Sequence, residues 1–226
     1  MAAPMCRYWS TRWSSVVTEL FVSAFVTFFV VIDPPGCAPI FVSLTSGADA
    51  AHRRAMALRS VGIAAAILLF FGLFGEDLLR ALGISLAAFR IAGGIMLFLI
   101  ALEMVFEIRT ARREARAETV TADAEHDDIS VFPMAIPMIA GPGSIASIML
   151  LTAPADTIAE DAIVLGALTA VMLLTLAALL AAGPLMRLIG VKLEAMITRI
   201  LGVILAALAA QFVLDGLERS LPGLAG

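Results

Sequence analysis

The stretch VVIDPPGCAPIF, residues 30–41, sets an acid, three prolines and a glycine between two apolar runs. Proline inside a helix removes a backbone donor and clashes with the preceding turn, so a helix cannot pass undisturbed through Pro34-Pro35-Gly36. Further along, MIAGPGSIASIM at 138–149 carries a second interruption, and one constant shift in register sets Pro35 over Pro142, Gly36 over Gly143 and Thr45 over Thr152. The interruption is therefore duplicated.

The surroundings of both copies are those of a membrane protein. Of 226 residues, 61% are hydrophobic and 15% charged, against about 45–50% and 25% in a soluble domain. The uncharged runs Ala162–Met186 (25 residues) and Ile129–Ala155 (27 residues) each exceed the ~20 residues that a helix needs to cross a bilayer core. A formal charge of −4 argues against nucleic acid as a partner, because phosphate binding needs a basic stripe. Cys6 and Cys37 are too few for a disulfide framework and are expected as free thiols. Ala48-Asp49-Ala50 resembles a signal cleavage site, but it lies too far beyond the apolar run, and cleavage there would remove half of the duplicated element.

The repeat continues past the interruptions. LLRALGISLAA (78–88) aligns with LMRLIGVKLEA (185–195) at the same offset, pairing Arg80 with Arg187 and Gly83 with Gly190. After two inserted residues, RIAGGIML (90–97) aligns with RILGVILA (199–206), pairing Arg90 with Arg199. Each half thus reads as a broken segment (16–46; 129–153), a plain helix (57–75; 161–182) and a third helix (86–106; 196–214). The expected fold is an all-α membrane protein of six transmembrane helices, arranged as two inverted three-helix repeats with the first and fourth helices broken near the midplane. Its parts are an N-terminal tail (1–15), repeat 1 (16–107), a charged linker (108–128), repeat 2 (129–215) and a C-terminal tail (216–226).

Loop charge sets the orientation. Arg53, Arg54, Arg59, Arg109, Arg112, Arg113, Arg116, Arg187, Lys192 and Arg199 follow the first, third and fifth spans, against Arg7, Arg12, Arg80, Arg90 and Arg219 on the other side. By the positive-inside rule both termini then face outward. Re-entrant hairpins in place of broken spans give the same ten-to-five count with the termini inside. Charge cannot separate the two, and length favours broken spans.

Irregular backbone at membrane depth survives only where protein or a watery cavity satisfies it. Asp33 is suited to cap a half-helix that has Pro34 at its first position, and Gly141-Pro142-Gly143-Ser144 repeats the arrangement without an acid. Two helix starts, each with a positive dipole end, then surround one polar hole that contains one carboxylate. Such a hole suits a small zwitterion such as glycine or alanine, its ammonium near Asp33 and its carboxylate near the amides of Gly143 and Ser144. Asp33 is equally a candidate site for a coupling proton or Na⁺. Ser23 and Thr27, one turn apart, are candidate polar lining, although small hydroxyls also serve as helix-packing contacts. Arg90 and Arg199 read as snorkelling anchors, with gating or contact to a substrate carboxylate as the alternative. Glu103 reads as a residue of the helix end.

At IDPPGCAPIF, SLAAFRIAGGIMLFLIALEM and PMAIPMIAGPGSI the chain resembles the MarC family of bacterial inner-membrane proteins, from about residue 16 to 215. The resemblance implies a six-helix, multi-pass inner-membrane protein of the LysE exporter type, and one relative looks like a transporter of small neutral amino acids. Carried over by motif, the functional positions are Asp33, Pro34, Gly36 and Pro39, then Pro137, Gly141, Pro142, Gly143 and Ser144. Where the family pattern usually has asparagine after the glycine, this chain has Cys37, a weaker hydrogen-bonding group, which bears on substrate choice.

The expected function is a secondary transporter or exporter of small solutes working by alternating access, with the bilayer and a small-molecule substrate as partners and no cofactor beyond a coupling ion. A homo-oligomer is compatible with this reading. A channel and an accessory membrane protein are the competing readings. Catalysis is disfavoured, because HExxH and GxSxG are absent and His52 and His126 fall in polar loops.

Overall fold

The computed structural model describes residues 3–109, 112, 128–153 and 157–220, and every regular element among them is helical. In chain order these are α1 (Ala3–Ile32), α2 (Pro34–Leu44), α3 (Ala50–Ala81), α4 (Leu86–Val105), α5 (Ser130–Ile139), α6 (Pro142–Thr152), α7 (Ile158–Leu180) and α8 (Ala182–Ser220). Five runs are long and apolar enough to cross a bilayer: Val17–Leu44, Ala50–Ala81, Leu86–Val105, Ile158–Leu180 and Lys192–Ser220. The pair α5 and α6, bent by 53° between Ile139 and Pro142, makes a sixth if counted as one span.

Local sequence explains most boundaries. Asp49 caps α3 by accepting from the His52 amide at 2.7 Å, Ser85 caps α4 through Ala88, and Thr157 caps α7 through Glu160. Each is the oxygen-bearing side chain that a helix start selects. Helix α1 begins at Ala3, within the stretch expected to be a tail, because no proline or glycine lies between Met5 and Ile32. At the other end α8 runs to Ser220, past the expected boundary at 215. Most of the charged linker, 110–111 and 113–127, lies outside the described residues, as do 221–226 of the C-terminal tail.

The two halves match in conformation as well as in sequence. Gly83 and Gly190, paired by the repeat, both adopt positive φ (71° and 70°), a region open to glycine without steric penalty. At Gly83 the chain turns from α3 into α4, and at Gly190 it breaks the regular path of α8. Thr45 donates its hydroxyl to the Phe41 carbonyl at 2.6 Å, and its counterpart Thr152 donates to Ile148 at 2.9 Å.

Packing is exchanged between halves in the same way. Helices α1 and α2 pack on α7, while α5 and α6 pack on α3; α3 meets α7, α4 meets α8, α1 touches α8, and α4 touches α6. The main core gathers Phe28, Ile32, Ile40, Leu68, Met134, Ile139, Ile148 and Leu168 around the interrupted helices. A smaller one, with Val30, Val31, Leu97, Met104, Leu150 and Leu205, joins them to the α4–α8 pair. Large apolar side chains such as Phe70, Leu73, Phe74, Leu99, Leu173 and Val203 stay exposed, as expected for surface that meets acyl chains.

Helices α4 and α8 approach backbone to backbone. A Cβ on Gly94 would sit 2.9 Å from the Ala209 carbonyl oxygen and 3.0 Å from the Val213 nitrogen; one on Gly216 would sit 3.0 Å from the Ala87 oxygen. Small residues permit this closeness, on which membrane helix association relies. Gly94→Ala should therefore lower the thermal midpoint of the purified protein, at about 1–3 kcal/mol for overpacking. Gly166→Ala, where nothing lies within 4 Å, should leave it unchanged or raise it, since alanine is favoured over glycine in a helix by about 1 kcal/mol.

Candidate functional site

Pro34 and Pro35 carry no N–H, so the carbonyls of Val30 and Val31 lose their helical donors and must find others. The chain turns at Asp33, whose backbone is left-handed (φ 59°, ψ 65°), a conformation that aspartate adopts more readily than most residues. Asp33 Oδ1 accepts the Gly36 amide at 3.1 Å and so caps α2. The Val31 carbonyl receives Arg109 Nη2 at 2.7 Å, from a distant part of the chain, and the Ile32 carbonyl receives the Cys37 thiol at 3.5 Å. Asp33 is 1% exposed. Gly36 is required beside it, because a Cβ there would lie 2.2 Å from Asp33 Oδ2.

The second interruption consists of Ala140 and Gly141. Ahead of it, Phe132 (φ −127°, ψ 128°) and Ile136 (φ −123°, ψ 124°) are extended, as residues preceding proline tend to be. The turns between them are wide, with the Met134 and Ala140 amides reaching back to the carbonyls of Ile129 and Ala135. Ser144 donates its hydroxyl to the Ile139 carbonyl at 2.7 Å, the counterpart in the second half of the bond that Cys37 makes to Ile32. At the helix starts the register slips by one: Asp33 corresponds to Gly141, not to Ala140 as the alignment paired them, because the first gap is a single residue. Gly141 offers no side chain, and α6 starts with no side-chain cap. One copy is closed by a carboxylate and the other is open.

That open start borders a cavity of about 420 Å³. Gly141, Pro142, Gly143 and Ser144 line it together with Val31, Met138, Ile100, Glu103, Arg109 and Arg112. The first-turn amides of a helix have no intrahelical acceptor and attract anions. Glu103 and Arg112 form an ion pair within the same lining. Arg109 reaches the first interruption from within this lining, held by the Val31 carbonyl and by Met104 Sδ at 3.0 Å. The interruptions also touch directly, since a Cβ on Gly143 would lie 3.2 Å from Val31 Cγ1.

Among the residues that the sequence singled out, Gly141, Pro142, Gly143 and Ser144 line this cavity, as does Pro137. Asp33, Pro34, Gly36, Cys37 and Pro39 do not; they form the closed start of α2 behind Val31. Ser23 and Thr27 separate: Thr27 is fully buried, with its hydroxyl on the Ser23 carbonyl at 2.8 Å, and Ser23 is exposed on the outer face. Arg90 is not a snorkelling side chain, being 5% exposed and within electrostatic reach of Asp215 and Arg219. Arg199 pairs with Glu107 at 2.6 Å. Sequence reading missed Arg109, Arg112 and Glu103 as cavity residues. The one signal was the pair of donorless prolines, which demand an outside donor without naming it. No three of His, Cys, Asp and Glu come together as a metal site among the described residues.

The family model for MarC family integral membrane proteins matches residues 18–221. A UPF0056 membrane protein of Methanocaldococcus jannaschii is 38% identical over 205 residues, covering 90% of this chain and 98% of the relative. UPF0056 membrane proteins of Bacillus subtilis (YvbG, 34% identical, 89% of this chain and 95% of the relative) and Escherichia coli (YhcE, 33%, 88% and 93%) are similar along nearly their whole lengths. No solved structure matches.

Asparagine retains an oxygen acceptor for the Gly36 amide and alanine does not. Asp33→Ala should therefore cost about 1 kcal/mol of stability, while Asp33→Asn should melt close to the parent. Gly36→Ala should be the worst of the three, because its methyl group meets a buried carboxylate; the order of melting midpoints in one detergent checks this.

Proposed function

Because the chain belongs to the MarC family of integral membrane proteins, we propose that it is a secondary transporter or exporter of small zwitterionic solutes, neutral amino acids of glycine or alanine size, in the cell membrane. The observation that carries this reading is the uncapped start of α6 on a cavity holding both Arg109 and Glu103. A carboxylate is attracted by the α6 amides and the Arg109 guanidinium, and an ammonium by Glu103, for which it competes with Arg112. Asp33, buried behind Val31, is the group we assign to the coupling proton or Na⁺, since an acid at membrane depth is costly unless it has such a role.

Six crossings in two inverted repeats, with the interruptions at mid-depth, belong to the same proposal. The support for them is the exchanged packing of the halves and the way the loops gather. Arg59 pairs with Asp128 at 2.6 Å, Arg199 pairs with Glu107, and Arg53 and Arg54 share a cavity with Gly183 and Pro184. Loops after the first, third and fifth spans thus meet at one end. Re-entrant hairpins would set Arg53 and Pro184 at opposite ends. The relatives named above bear membrane-protein names without a substrate, so the substrate class rests on the cavity chemistry.

In proteoliposomes, uptake of glycine or alanine should saturate and show counterflow; current proportional to voltage with no saturation would mean a pore instead. Asp33→Asn, with its cap intact, should reduce transport at least about tenfold, roughly the 1.4 kcal/mol of one lost charge interaction, at similar folded yield. Undiminished transport would remove Asp33 from the mechanism.

A further inference from the structure

Where α2 ends and α3 begins, a second cavity of about 300 Å³ is lined by Thr45, Arg53 and Arg54 on one side and Leu179, Gly183 and Pro184 on the other. Both arginines are exposed, and neither has an ion-pair partner among the described residues. A cation near a helix start opposes the macrodipole, and the acid at this start, Asp49, is turned onto the His52 amide as the cap of α3 and forms no ion pair with either arginine among the described residues.

The repeat supplies an internal control. Gly72 and Gly75 of α3 pack on Ile148 and Met149 of α6; at the matching positions of the other copy, Leu179 and Ala182 border this cavity with Phe41 and Val42. The same seam therefore occurs twice. At the positions equivalent to Arg53 and Arg54 the other copy has Glu160 and Asp161, and at those of Gly183 and Pro184 it has Glu76 and Asp77. Asp161 lies within electrostatic reach of Glu160 and Glu76. One packing arrangement accommodates either sign, so packing does not require the arginines. They sit at the end where the basic loops gather, which the positive-inside rule assigns to the cytoplasmic leaflet, and that leaflet carries anionic lipid.

We propose that the Arg53–Arg54 cavity is a phosphate-binding site whose ligand is the headgroup of an anionic phospholipid. Guanidinium groups bind phosphate oxygens in pairs with fixed geometry, and the apolar Phe41, Val42, Leu179 and Leu180 line the same cavity beside the arginines. The choice of leaflet rests on the six-span topology proposed above; binding itself does not, and it is read in detergent, where neither leaflet nor transport matters.

The test titrates the purified protein with phosphatidylglycerol, phosphatidylcholine and inorganic phosphate, reading bound lipid by native mass spectrometry and melting midpoint in parallel. Phosphatidylglycerol should bind and raise the midpoint. Arg53→Gln with Arg54→Gln should weaken its binding about 30-fold, and either single change about fivefold, from the contribution of each surface arginine. Arg80→Gln, at the acidic copy, should change nothing. The single variants keep the test decisive should the double variant prove poorly folded. Equal phosphatidylglycerol binding by parent and variants would overturn the site. A midpoint rise with inorganic phosphate as large as with phosphatidylglycerol would overturn the lipid as its ligand.

Discussion

Backbone hydrogen bonding is the constraint on which this structure turns. In hydrocarbon an unmet N–H or C=O has no water to fall back on, and each costs several kcal/mol. Two prolines at the start of α2 nonetheless strip the donors from consecutive carbonyls. Around the break a carboxylate meets the Gly36 amide and a thiol meets the Ile32 carbonyl, and of the two stripped carbonyls that of Val31 receives a guanidinium from beyond the far end of α4. The last ties the first interruption to the cavity beside the second. A local defect in one helix is thereby closed by a residue that follows the first half and lines the cavity.

Duplication gives the protein two such sites, and the functional asymmetry lies in how they differ. Cys37 and Ser144 do the same job at matched positions of the two halves, and so do Thr45 and Thr152. The helix starts diverge: Asp33 closes one, while Gly141 leaves the other open to a cavity that carries both charge signs. The seams between α3 and α6 and between α2 and the α7–α8 junction diverge likewise, acidic in one copy and basic in the other. One packing arrangement thus carries opposite charge at corresponding points.

Much of this was legible in the sequence. Proline and glycine in an apolar setting located both interruptions, and the repeat paired Gly83 with Gly190, which the structure gives the same positive φ. What failed has identifiable causes. Asp33 was expected in the cavity because an intramembrane acid invites a ligand, but a capping carboxylate turns back onto its own helix, and sequence does not reveal which way it points. Arg109 and Glu103 read as linker and helix-end residues because their role depends on contact with segments far away along the chain. Thr27 and Ser23 share a helical face only to within a turn's width, enough for one to be buried and the other exposed.

If the open start of α6 faces a water-reachable pocket within the apolar body, a thiol placed there reacts from solution. The decisive measurement is labelling of Ser144→Cys in a background with Cys6 and Cys37 changed to serine, using a small membrane-impermeant reagent on membrane vesicles of both orientations. Labelling is expected from at least one side, at a rate far above that of Leu73→Cys on the lipid-facing surface. A Ser144→Cys thiol as unreactive as Leu73→Cys from both sides would contradict the claim.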